Sequence, residues 1–396
     1  MKSPMLTFFD ATLFFLIPIY AFRSGGFQLA DLLLVPLGVY LMTRRGLCRQ
    51  FWADIGGDLA LQSIWVLIFF MIISLCAHNL FFNAPFDGLQ VEAAYFAFLF
   101  YALLLFFYRL LNEPRPQYIV LTILCLIGAS TIAPLVVAAQ LFVSGSILFR
   151  QALTFNNPNQ LGIFAGLCTS ILVLSYFVFY PYYSRRMKVF LTVILLALLT
   201  LLILSGSRVA LFGIVNYLAL AIHYIKTARH GKRNMLIFLV GLILILTPIV
   251  KQVTTPENLK KIAILDRLTN QEAENFDSDV SSRSGHIITE LSAPSVLFFG
   301  TGKIRTSMEN LEVHNDFLGL IYQTGIVSGI LFVVACVGIL LNLYRQKPYH
   351  VLTFLPYIAF GMFHYTFRPR IVWVFLAFFI LLSKIRFSPP ESIALP

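Results

Sequence analysis

Uninterrupted apolar stretches of close to twenty residues recur along this 396-residue chain, and no other feature limits its fold so tightly. As a helix, a stretch of that length covers the roughly 30 Å hydrocarbon core of a bilayer. In hydrocarbon the backbone must satisfy its own hydrogen bonds, which favours the helix. A membrane β-barrel would instead show roughly ten residues of alternating polarity per strand. Composition agrees: 59% of residues are hydrophobic, 12% are charged, and the mean hydropathy is +0.83. About a quarter of an ordinary soluble domain is charged. The sequence therefore predicts an all-α, polytopic integral membrane protein. It excludes a disordered chain and a disulfide-stapled secreted domain. Cys48, Cys76, Cys125, Cys168 and Cys336 fall mostly inside apolar runs, without ligand or pairing spacing, and read as small hydrophobes.

Twelve spans are expected, at about 6–22, 27–43, 60–77, 92–111, 118–143, 160–180, 187–204, 208–225, 234–250, 316–343, 350–366 and 371–384. The first span lacks a small-residue cleavage site and is followed at once by another, so no cleavable signal peptide is expected. The whole chain, 1–396, reads as a single transmembrane domain with one hydrophilic insert at 251–314, between spans nine and ten.

Lys/Arg in short loops set the orientation. With both termini in the cytoplasm, the inside segments hold Lys2, Arg44, Arg45, Arg49, Arg109, Arg115, Arg185, Arg186, Lys188, Lys226, Arg229, Lys232, Arg233, Arg345, Lys347, Lys384 and Arg386, which is 17 of the 29 cations. The short outside segments hold only Arg23, Arg150, Arg208, Arg368 and Arg370. The net charge of +11 is thus mostly a topology signal and calls for no nucleic-acid partner. All five short-loop outside cations are arginine, the residue suited to bidentate contact with phosphate. The long outside insert carries nine acids against seven Lys/Arg, and Pro256–Asn275 within it has the spacing of a surface helix.

Four constellations stand out. Phe155-Asn156-Asn157-Pro158-Asn159-Gln160-Leu161-Gly162 is a turn leading into span six, with Asn157 and Asn159 as polar binding candidates. Ser205-Gly206-Ser207-Arg208 is a tight turn into span eight, where a helix N-terminus and an arginine would favour an anion. An arginine near membrane depth usually has a partner. Ser281-Ser282-Arg283 precedes Pro294 and Gly300-Thr301-Gly302. His314-Asn315 is followed after nine residues by Gly325-x-x-x-Gly329, with the two glycines expected on one face of span ten to allow close packing. His314 lies where the insert re-enters the membrane; a histidine there could serve as a general base, its ordinary pKa lying near working pH, or as an interfacial helix-start group with a structural hydrogen bond. His78, His223, His230, His286, His350 and His364 read mostly as structural hydrogen-bonding groups. The chain shows no DxD, EF-hand, P-loop or Ser/His/Asp signature and no metal-spaced carboxylate cluster, so no metal site and no cofactor are expected.

Taken in order, Phe155–Gly162, Ser207-Arg208, Arg283 before Pro294 and Gly300-x-Gly302, and His314-Asn315-x9-Gly325-x3-Gly329 resemble the bacterial O-antigen ligase and polymerase superfamily. The motifs cover about 150–330, and elsewhere the resemblance is one of topology. It implies a GT-C-like helical glycosyltransferase in the bacterial inner membrane, with a periplasmic active site. The donor would be a glycan on undecaprenyl diphosphate, and the acceptor another glycan or lipid A-core. The family works without metal, and arginines would stabilise the leaving diphosphate. Arg208 and Arg283 would do so here, with Arg150, Arg368 and Arg370 assisting. His314 would be the base, with Asn315 beside it in the substrate site. The leading expectation is a repeat-unit polymerase. The ligase is the alternative within the family, and a flippase of the same lipid-linked glycan is the alternative of another class.

Overall fold

The computed structural model describes residues 12, 13, 16, 30–82, 89–112, 131–143, 153, 158–180, 183–205, 209–227, 240, 289–303, 315–363 and 370–384. The predicted spans at 6–22 and 234–250 and the surface helix at 256–275 lie outside or almost wholly outside these residues. Among the described residues every regular element is helical. In chain order they are α1 (Asp31–Thr43), α2 (Arg45–Ile55), α3 (Leu59–Phe82), α4 (Leu89–Leu111), α5 (Ile132–Val143), α6 (Pro158–Phe179) and α7 (Arg185–Leu204). A 3-10 helix (Val209–Ile214) leads into α8 (Val215–Thr227). Then follow α9 (Pro294–Phe299), α10 (Asp316–Thr324), α11 (Ile326–Gln346), a 3-10 helix (Pro348–Thr353), α12 (Leu355–Phe363) and α13 (Arg370–Lys384). Among the described residues, five helices are long and apolar enough to cross a membrane: Leu59–His78, Ala93–Leu111, Pro158–Phe179, Arg185–Leu204 and Ile326–Gln346.

The helices are layered. In α6, 94% of the most apolar window is buried, against 39% in α7 and 33% in α11. A helix that is apolar all round and buried all round is a central one. α6 is that centre, while α3, α7 and α11 turn residues such as Phe69, Val193 and Ile330 outward. Close approach to α6 uses glycine. A Cβ on Gly166 would stand 2.5 Å from the ring of Phe360. Buried hydroxyls of α6 are satisfied locally, Thr169 and Ser175 donating to Ala165 O and Ile171 O at 2.7 Å each. Ser170 donates to Gly166 O at 3.1 Å and accepts from Asn216 of α8 at 3.0 Å.

The bundle has two unlike ends. At one, the buried carboxylate of Asp58 caps α3 through Leu61 N at 3.0 Å. It also accepts from Asn342 of α11 at 2.6 Å and pairs with Lys384 of α13 at 3.6 Å. Tyr108, near the end of α4, donates to Asp54 of α2. The start of α7 and the ends of α6, α8 and α11 gather here too, joined by ring contacts among Tyr180, Phe177, His223 and Tyr349. This end carries Arg185, Arg186, Lys188, Lys226, Arg345, Lys347 and Lys384. The opposite end holds the starts of α1, α6 and α13 and the segment 289–303.

Two predicted spans are corrected. The stretch 316–343 is not one helix. It breaks at Gly325, whose φ of +92° lies in the left-handed region. A Cβ on Gly329 would stand 2.6 Å from Ile321 and 3.1 Å from Phe317. In a straight helix those residues would be about 12 and 18 Å away along the axis. The chain therefore folds back, and α10 and α11 form a hairpin. Gly325 is its turn and Gly329 the notch that receives α10, so the two glycines do not share one helix face. The stretch 350–366 is also broken, since Pro348 opens a 3-10 turn and α12 has only nine residues.

Candidate functional site

The site is built around the α10–α11 hairpin. α10 begins because Asn315 caps it: Oδ1 accepts from Leu318 N at 2.9 Å. The other side of the same amide donates to Met362 O near the end of α12, at 2.8 Å. A nine-residue helix is about 13 Å long. The start of α10 therefore lies well below the turn at Gly325, beside α12 rather than at the end of α11. Next to it, Asp316 is fully buried, and a Cβ on Gly361 of α12 would stand 2.7 Å from its Oδ2. A carboxylate within an apolar run is costly, which makes Asp316 a candidate for the site. It also complements the positive end of α10. Asp316 is not among the candidates expected from the sequence, where its signal is an acid directly after His314-Asn315.

The segment Pro294–Gly302 is strapped across the hairpin turn. Pro294 starts the short α9, and Gly300, with φ +76°, ends it. Thr301 N donates to Tyr322 O at 2.7 Å, and Gly302 N donates to Gln323 O at 2.9 Å. The Thr301 hydroxyl adds a bond to Tyr322 O at 3.0 Å. Any side chain at Gly300 would strike the Gln323–Thr324 peptide, and any at Gly325 would strike Phe298 O. The glycines of two separate sequence motifs thus permit one backbone contact. Two side chains hold the strap from outside: Tyr322 donates to Glu290 at 2.5 Å, and His78 of α3 bonds Phe299 O at 2.7 Å. His78 has the structural role expected of it.

The remaining candidates are placed as follows. Asn159 is half-buried in the first turn of α6, and Arg370 opens α13, both at the strap end. α7 ends at Leu204, also at that end, with Ser205 donating to Leu202 O at 2.7 Å. The element after Arg208 is a six-residue 3-10 helix, not the α-helix N-terminus expected there. A Cβ on Gly213 would stand 3.0 Å from Leu202, so the chain turns back tightly on α7. His314, Arg208, Arg283, Arg150, Asn157 and Arg368 lie outside the described residues. Among those residues, no group of three His, Cys, Asp or Glu side chains is disposed to hold a metal ion.

No protein-family model matches this chain, and no curated protein matches it either.

Proposed function

We propose that the chain is a membrane glycosyltransferase that moves a glycan from undecaprenyl diphosphate to an acceptor sugar hydroxyl, as a repeat-unit polymerase. The observation that supports this reading best is the strap on the hairpin. It ties the insert that carries Arg283 to the helix whose capping residue follows His314.

In this reading His314 takes the proton from the acceptor hydroxyl, and the freed oxygen attacks the anomeric carbon. The bond from that carbon to the diphosphate breaks, and the lipid diphosphate leaves with the electron pair. Arg208 and Arg283 stabilise the charge it gains. Attack opposite the leaving group inverts the centre. Asn315 keeps the start of α10 in place, and the buried side chain of Asp316 lies two residues from the base in sequence.

Reconstitution with a lipid-linked repeat unit, with and without lipid A-core, tests the proposal. A ladder on undecaprenyl diphosphate supports the polymerase. Transfer to core makes the protein a ligase, and no new glycosidic bond in either case rejects the enzyme. The hairpin also favours a second reading. A half-length helix with its N-terminus inside the bundle is a device by which transporters hold anionic substrates. A flippase would move the labelled lipid between leaflets and leave its glycan unchanged.

A further inference from the structure

The cation-rich end carries a face that the proposed chemistry does not use. It belongs to α2, the short helix between α1 and α3. Positions 45, 49 and 52 share one side of that helix, and Arg45, Arg49 and Trp52 are all exposed there. Asp54 is the only acid of α2, and its carboxylate accepts from Tyr108 on the opposite side. Arg45 and Arg49 form no ion pair with a described residue. Just before them, Arg44 bonds the hydroxyl of Tyr40, with its guanidinium 4.7 Å from the centre of that ring. Topology accounts for cations at this end of the bundle. It does not account for what the two arginines adjoin.

α1 and α3 both pack against α4, on different sides of it. A Cβ on Gly38 of α1 would stand 2.7 Å from Phe98 and 2.8 Å from Ala102. Trp65 of α3 lies 5.9 Å from Phe100 and 5.5 Å from Tyr101, ring to ring. Each residue of a helix turns by about 100°, so Ala94, Ala97 and Tyr101 face the gap between these two contacts. Ala94 is exposed, and Ala97 and Tyr101 are half-buried. The two alanines leave a shallow furrow, floored by α4 and walled by α1 and α3. It adjoins the outward apolar face of α3, where Val66, Phe69 and Ile73 are exposed. α2 closes the furrow at the cation-rich end. Trp52 Nε1 donates to the Tyr101 hydroxyl at 3.0 Å, and the Trp52 ring lies 6.3 Å from that of Trp65. The arginine face and the furrow therefore meet at one side chain, Trp52.

We propose that Arg45 and Arg49 bind the phosphate headgroup of an anionic phospholipid whose acyl chain passes Trp52 into the furrow on α4. Guanidinium donors match phosphate oxygens, and a tryptophan with one polar edge suits the boundary between headgroup and hydrocarbon. A lipid with a cationic headgroup amine would set that charge against the arginines.

The full chain in zwitterionic detergent is titrated with phosphatidylglycerol, phosphatidylcholine and inorganic phosphate, reading Tm, with bound lipid and oligomeric state by native mass spectrometry. Phosphatidylglycerol is expected to bind and raise Tm, while the other two do neither. R45Q/R49Q, both at exposed positions, should bind it roughly thirtyfold more weakly. A97W should also weaken binding by filling the furrow, and so should A94W, whose exposed position leaves the fold intact. R185Q/R186Q, exposed at the same end, should bind as wild type. Unchanged binding in R45Q/R49Q overturns the site, and an equal loss in R185Q/R186Q replaces it with a diffuse field. A phosphate response matching that of the lipid, or normal binding by A97W and A94W, overturns the lipid as its ligand. A dimer that R45Q/R49Q breaks would assign the face to a second copy of the chain instead.

Discussion

The two ends of the bundle are fastened in different ways. At the cation-rich end, side chains do the fastening: one carboxylate, Asp58, caps α3, holds Asn342 of α11 and faces Lys384 of α13. At the strap end, backbone meets backbone, and glycines at 300 and 325 make room for it. A side-chain tie tolerates movement of the helices it joins, because rotamers adapt. A backbone tie leaves less room to adapt, since a side chain at Gly300 or Gly325 would overlap the opposing backbone. Under the proposed function, the strap end would carry the chemistry and the cation-rich end the anchoring.

The largest expected effect sharpens that division. His314→Ala should leave the protein in the membrane and donor binding intact, while turnover falls by roughly two to four orders of magnitude. Glycan transfer by the purified variant, compared at equal protein, measures this. Near-normal transfer would show that His314 is not the base.

Next in size is Gly325→Ala. The residue sits at φ +92° against Phe298 O, so strain and overlap together should cost about 3 kcal/mol. Thermal unfolding in detergent is the readout, and a Tm within a degree of wild type would show that the turn is not a fixed point. Asp58→Ala removes a cap and a buried acceptor, and should cost about 2 kcal/mol. Its ion pair adds little, because Lys384 is 39% exposed. In contrast to Gly325→Ala, the protein that remains folded should transfer glycan at the wild-type rate. Tyr322→Phe removes one hydrogen bond to Glu290 and should cost about 1 kcal/mol. Chelation should do nothing: EDTA is expected to leave turnover unchanged, and recovery with Mg²⁺ after a loss would show that a metal shares the arginines' work.

How much of this was legible in the sequence follows from which forces act. Helices α3, α4, α6 and α7 coincide with predicted spans because apolar length and the hydrocarbon thickness decide them together. The α10–α11 hairpin was not legible, because hydropathy is continuous through 316–343 and does not register direction. The local signs were there, in Asn315 as a cap, Gln323-Thr324 before a glycine, and a fresh helix beyond it. Gly325-x-x-x-Gly329 matched a helix-packing pattern whose steric meaning is the same even though its first glycine is a turn. The strap was visible only as Gly300-x-Gly302, since nothing in sequence says that its partner is the carbonyl of Tyr322 or Gln323. Backbone acceptors have no letter.

Burial of α6 on all sides also bears on the order in which the chain is made. α7, α8, α12 and α13 follow it in sequence, so when α6 first reaches the bilayer its future neighbours on those sides have not been synthesised. Lipid must stand in for them. A helix in that position is safe only if none of its polar groups needs a partner yet to arrive. The hydroxyls of Thr169, Ser170 and Ser175 meet that demand by bonding to carbonyls of their own helix. When α8 comes, Ser170 still has a lone pair to offer Asn216, and the bond forms without breaking one already made. The hydroxyls of Thr169, Ser170 and Ser175 can thus wait in hydrocarbon while the bundle grows around the helix by accretion.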